Sequence, residues 1–112
     1  MQRELKYHHL GIPTKEKRKG ETYLEKYKVY VSGYGTSEYK IEWMRYEDDS
    51  PVNELVKTIP HVAFQVKDVE EAIKGKEILI EPNSPSRGVT VAFIVENGAP
   101  VEFLQIDESA GE

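Results

Sequence analysis

The sequence contains no cysteine, which excludes both a disulfide framework and a thiol nucleophile. No apolar run approaches the length needed to span a bilayer, so a membrane partner is not expected. Positive charge is also in deficit. A formal net charge of -5 argues against nucleic acid or an anionic membrane surface as the main partner. The one basic run, Lys15-Glu16-Lys17-Arg18-Lys19, is interrupted by a glutamate and reads as a solvated loop. The start, Met1-Gln2-Arg3-Glu4, has no apolar core behind it, and a cytoplasmic protein is the expectation. Residues 14 to 22 carry no apolar stripe at helical spacing and are expected as loop. With 112 residues, the chain suits one domain over 1–112.

The apolar residues that are present fall mainly into short alternating runs. Lys6 to Pro13 predicts a first strand, ended by the proline and the charged run after it. The β-branched and aromatic stretch Tyr23 to Ser32 predicts a second, and Gly33 to Ser37 a turn-rich connection. Tyr39 to Tyr46 predicts a third, with Glu42, Met44 and Tyr46 on one face and Ile41, Trp43 and Arg45 on the other. Glu47 to Thr58 reads as a linker or short helical turn. The next strand, Ile59 to Val66, carries His61 near its start. Asp68 and Glu71 then form a capping box for a short helix that Gly75 ends. Ile78-Leu79-Ile80 predicts a short strand, and Pro82 to Gly88, dense in breakers, a loop. Val89–Val95 and Pro100–Ile106 predict a hairpin across Asn97-Gly98, followed by a fraying tail from Asp107.

Two halves emerge, 6–48 and 59–106, each opening on a strand with a histidine and each holding a later strand with a lone carboxylate. His9, Glu42, His61 and Glu102 are thus polar residues inside apolar strands, one imidazole and one carboxylate per half. Such a set suits Zn, Ni, Co, Mn or Fe(II) if curvature of the sheet brings it to one point. The same residues also fit the wet face of an ordinary antiparallel sheet. His8, alternating with His9, is expected to point away into solvent.

Tyr7-His8-His9-Leu10-Gly11-Ile12, Tyr39-Lys40-Ile41-Glu42-Trp43, Pro60-His61-Val62-Ala63-Phe64-Gln65-Val66 with Asp68-Val69-Glu70-Glu71-Ala72, and Val91 to Val95 through Val101-Glu102-Phe103-Leu104 resemble the glyoxalase/bleomycin-resistance/dioxygenase group, the vicinal oxygen chelate superfamily. The resemblance implies an α+β fold of two paired βαβββ modules forming a cup-shaped mixed sheet, here with the helix of the first module eroded. It implies His9, Glu42, His61 and Glu102 as ligands of a divalent metal, with Glu42 or Glu102 as the proton-transferring base. A filled set of four ligands resembles a metal-dependent lyase or isomerase of the glyoxalase type acting on a small carbonyl compound. A non-catalytic small-molecule-binding protein and a ring-cleaving dioxygenase are the alternatives. Met44, Tyr46, Gln65 and Arg87 are secondary candidates for substrate contact. With no first helix to cover Leu10, Ile12, Ile41 and Trp43, a homodimer is expected, or else a fold-back of residues 14 to 35 over that face.

Overall fold

The computed structural model describes residues 5–107. One eight-stranded sheet, in the order β2-β3-β4-β1-β5-β8-β7-β6, curls into an open cup. The strands are β1 (Lys6–Pro13), β2 (Thr22–Leu24), β3 (Val29–Ser32), β4 (Ile41–Tyr46), β5 (His61–Gln65), β6 (Glu77–Ser86), β7 (Val89–Glu96) and β8 (Ala99–Ile106). The order is a palindrome. In each half the first strand lies parallel to the last, β1 with β4 and β5 with β8, and the two halves join where β1 runs antiparallel to β5. The fold is the expected cup-shaped α+β one.

Two short helices interrupt the strands. Helix α1 (Glu54–Thr58) links the halves, its first turn capped by the Asn53 side chain accepting from Leu55 N at 2.9 Å. Helix α2 (Val69–Ala72) follows β5. Asp68 Oδ1 accepts from Glu71 N at 3.3 Å, as the capping signal predicts, and Gln105 Oε1 accepts from Val69 N at 2.8 Å. Val69, Ala72 and Ile73 pack on the convex face of the second half, against Val66, Ala92, Ile94 and Phe103. The first half has no counterpart: 14 to 21 is loop, as expected. No helix among the described residues is long and apolar enough to cross a membrane.

Three local expectations are corrected. Tyr23 to Ser32 is not one strand but the hairpin β2–β3, bent at a 3₁₀ turn over Glu25–Tyr27 with Lys28 at φ 49°. Pro82 to Ser86 is not loop but the outer part of β6. As the last strand of the sheet, β6 has one side without a ladder partner, where prolines lacking an N–H are tolerated, and register shifts absorb the irregularity. Within Glu47 to Thr58 the expected short helical turn is α1. His8 does not follow strict alternation, because β1 bulges between Tyr7 and His9 against β5.

The convex face of the first half is partly covered by its own loop. The Arg18 guanidinium lies 4.9 Å from the Trp43 ring centre, and Arg45 holds Glu21 through two hydrogen bonds of 2.9 and 2.8 Å. Leu10, Ile12, Ile41 and Trp43 stay half-buried. The expectation of a fraying tail falls, beyond Asp107, outside the described residues.

Candidate metal centre and cavity

The central strand pair sets the site. In the β1–β5 register His9 stands opposite Ala63 and Gly11 opposite His61, so each imidazole faces a very small residue on the neighbouring strand. Those small residues are in turn the partners of the carboxylates, Gly11 pairing with Glu42 on β4 and Ala63 with Glu102 on β8. The two halves therefore repeat one arrangement about the β1–β5 seam, and all four polar side chains point into the cup. Space is tight. A Cβ on Gly11 would stand 2.3 Å from His61 Cε1 and 2.7 Å from its Nε2.

His61 Nε2 lies 3.1 Å and His9 Nε2 3.3 Å from the same oxygen, Glu102 Oε1. One ligand atom from each of His9, His61 and Glu102 lies within 4.8 Å of the others. Glu42 Oε1 stands further out, 3.7 Å from His9 Nε2. The sequence candidates thus converge as three close groups with a fourth at their edge. His61 is buried, and its Nδ1 has no hydrogen-bond partner among the described residues.

Electrostatics separates the two carboxylates. Burial works against ionising Glu102, but hydrogen bonds from His61 and His9, with the attraction of both rings, hold its carboxyl down at about 2. Glu42 has its pKa raised by burial, aided by repulsion from Glu102 and opposed by His9 and His61. His9 is lifted above its ordinary value, since contact with Glu102 and the field of Glu42 outweigh its own burial. Two imidazoles, one carboxylate held ionised and one loosely placed carboxylate are a donor set that fits a borderline divalent ion.

His8 is the residue that strand alternation misplaces. The bulge turns it into the cup, where its Nδ1 lies 2.8 Å from His9 Nδ1 and its ring stacks on Tyr34 at 5.3 Å between centres. If His9 presents Nε2 to an ion, its Nδ1–H donates to His8 Nδ1, and His8 Nε2–H then points to the Tyr34 hydroxyl 3.4 Å away. No sequence signal marks the bulge, although the His8-His9 doublet itself is visible.

Above these groups opens a cavity of about 250 Å³ lined mostly by apolar side chains. Met44 and Tyr46 line it beside Glu42, as β4 alternation predicts. Gln65 and Arg87 stand outside the lining, Gln65 at the far end of β5 and Arg87 exposed in the turn between β6 and β7.

No family model and no curated protein sequence matches the chain. Solved structures do resemble it. A hypothetical protein of Bacillus halodurans C-125, BH1468, superposes with a TM-score of 0.70 at 24% identity, over 92% of this chain and 95% of that one. Methylmalonyl-CoA epimerase of Mycobacterium tuberculosis superposes with a TM-score of 0.64 at 14% identity, over 96% and 92% respectively. At these identities the likeness is one of fold alone.

Proposed function

We propose that this protein is a metal-dependent isomerase or lyase of the glyoxalase type that moves a proton next to the carbonyl of a small molecule. The carrying observation is the split between Glu102 and Glu42 at the base of one apolar cup. Glu102, ionised and touching both imidazoles, is suited to hold an ion together with His9 and His61. Glu42, at the edge of the cluster with a raised pKa, is suited to take and return a proton. A divalent ion bound there would act as a Lewis acid toward a carbonyl oxygen. The reading is supported at the level of fold by the epimerase neighbour, an isomerase. We also infer a homodimer, joined through Leu10, Ile12, Ile41 and Trp43, which stay half-buried after the loop is in place.

The test combines metal titration with exchange of substrate carbon-bound hydrogen in deuterated water, over a panel of small ketones and α-hydroxycarbonyl compounds. Glu42→Gln should keep the ion within about tenfold in affinity and lose the exchange, while Glu102→Gln should lose the ion. Wild-type protein that takes up no divalent metal, or a Glu42→Gln variant that exchanges at the wild-type rate, overturns the proposal. Metal uptake without exchange on any carbonyl compound would instead favour a binding protein that encloses its ligand unchanged.

A further inference from the structure

The lining of the cavity constrains what can enter it. Val29, Val31, Met44, Val91, Phe93 and Leu104 are among the apolar side chains that wall the 250 Å³ space. An apolar cavity of roughly 150 Å³ suffices for benzene, so this one has room for a single ring with a short substituent, or a branched chain of equal bulk. The charged side chains turned into it are Glu42 and Glu102, and no lysine or arginine is among the described residues of its wall. An anionic group carried into the metal-free cup would meet two carboxylates and no lysine or arginine of the described wall, at a cost that low-dielectric surroundings raise.

Of the three phenols in the wall, one lacks an oxygen or nitrogen partner among the described residues. Tyr27 Oη donates to Asn83 Oδ1 at 2.9 Å, and Tyr34 Oη faces His8 Nε2 at 3.4 Å. The Tyr46 hydroxyl, half-buried on the Glu42 face of β4, has among the described residues only the Met44 sulfur at 3.6 Å, a weak acceptor. A phenol in an apolar wall normally has an oxygen partner. The missing acceptor is supplied by a ligand that brings one.

We propose that the cup takes a compact uncharged ligand, an aryl or branched-alkyl carbonyl compound, whose apolar body fills the space between Val31 and Phe93 and whose oxygen accepts a hydrogen bond from Tyr46. That this ligand is the substrate rests on the enzyme reading; its binding does not require the ion.

Acetophenone, ethylbenzene and 4-acetylbenzoate are therefore titrated by calorimetry or NMR into chelator-treated protein and into protein supplied with zinc. Acetophenone should bind the metal-free protein, and 4-acetylbenzoate, which adds only a carboxylate, should bind at least about tenfold more weakly. Tyr46→Phe should weaken acetophenone roughly three- to tenfold and leave ethylbenzene unchanged. Equal affinity for the neutral and anionic ketones overturns the inference, as does equal loss of both neutral probes in Tyr46→Phe. Zinc uptake without binding of any aryl probe sinks the inference and leaves the enzyme reading intact. Aryl binding by a protein that takes up no metal supports the inference and sinks the enzyme reading.

Discussion

Gly11→Ala is the substitution whose sign the structure decides. A bare strand position normally gains from this change, because alanine has less backbone freedom to lose; the gain is about 0.4 to 1 kcal/mol. Gly11 has no positive φ that would forbid alanine. What forbids it is His61, whose Cε1, Nε2 and Nδ1 would lie 2.3, 2.7 and 2.9 Å from the new methyl. The ring is 2% exposed, sits edge-on to Phe93 at 5.0 Å between centres, and holds Glu102 at 3.1 Å. Restoring ordinary contact requires a shift of about 1 Å in the ring or in β1. Overpacking of this kind costs about 1 to 3 kcal/mol, and a strained bond to the carboxylate adds to it. A net loss of about 2 to 4 kcal/mol is the expectation, against a total of roughly 6 to 17 kcal/mol for a chain of this length. The variant folds but melts about 10 to 20 °C lower. The assay is urea unfolding of four proteins: wild type, Gly11→Ala, His61→Ala and the double variant. In the His61→Ala background the obstructing ring is gone, and Gly11→Ala should become neutral or stabilising. If it costs the same in both backgrounds, the clash with His61 is not the cause and the argument fails.

His8→Ala should weaken divalent-metal binding about 10- to 100-fold with little loss of stability, and His8→Asn, which keeps an acceptor for His9 Nδ1, should restore part of it; equal affinity in wild type and His8→Ala would refute the outer-sphere contact. Metal-free protein should lose stability in acid through Glu102: its folded value of about 2 lies below its ordinary 4.5, so its contribution is complete above pH 4.5 and declines as pH falls toward 2. Urea unfolding across that range should show a flatter acid limb for Glu102→Gln, and an unchanged limb would contradict the assignment. His9, raised from 6.5, has the opposite sign, stabilising below pH 6.5 and fading as pH rises through its folded value. Light scattering at micromolar concentration should give a dimer that Trp43→Glu splits, and a wild-type monomer would reassign the convex face to cover by the 14–21 loop alone.

The four candidate site residues were legible because each is a polar side chain at an alternating position of an apolar strand, and alternation survives in β4, β5 and β8 without irregularity. His8 was not, since one added residue in β1 reverses the face of everything before it and leaves no composition signal. β6 was misread for a related reason. Pro82 and Pro85 break a central strand but not an edge strand, and edge position is a property of the assembled sheet. The pairing of each histidine with the small residue of the opposite half was equally hidden, because it depends on the β1–β5 register rather than on either strand alone.

That register also makes the two halves unequal in what holds them. The second half owns a buried apolar layer under α2, including Val69, Ala72, Ala92 and Phe103. In the first half, Val29 is the one buried apolar side chain among the described residues. Among the contacts that tie β2, β3 and β4 down are the β4 ladder to β1, the part-buried Glu21–Arg45 pair, Tyr23–Glu47 at the surface, Tyr27–Asn83 across to β6, and the contact of Glu42 with His9. With so little apolar surface buried beneath it, local opening of the first half costs less than global unfolding. An ion held by His9 together with His61 and Glu102 would tie β1, and through its ladder β4, to β5 and β8 and raise that opening free energy. Hydrogen exchange should therefore show amides of β3 and β4 less protected than those of β7 and β8 in metal-free protein, with the gap narrowing on addition of zinc. Equal protection of both halves without metal would show that the first half does not depend on the site, and a gap that zinc leaves unchanged would show that the ion does not bridge them.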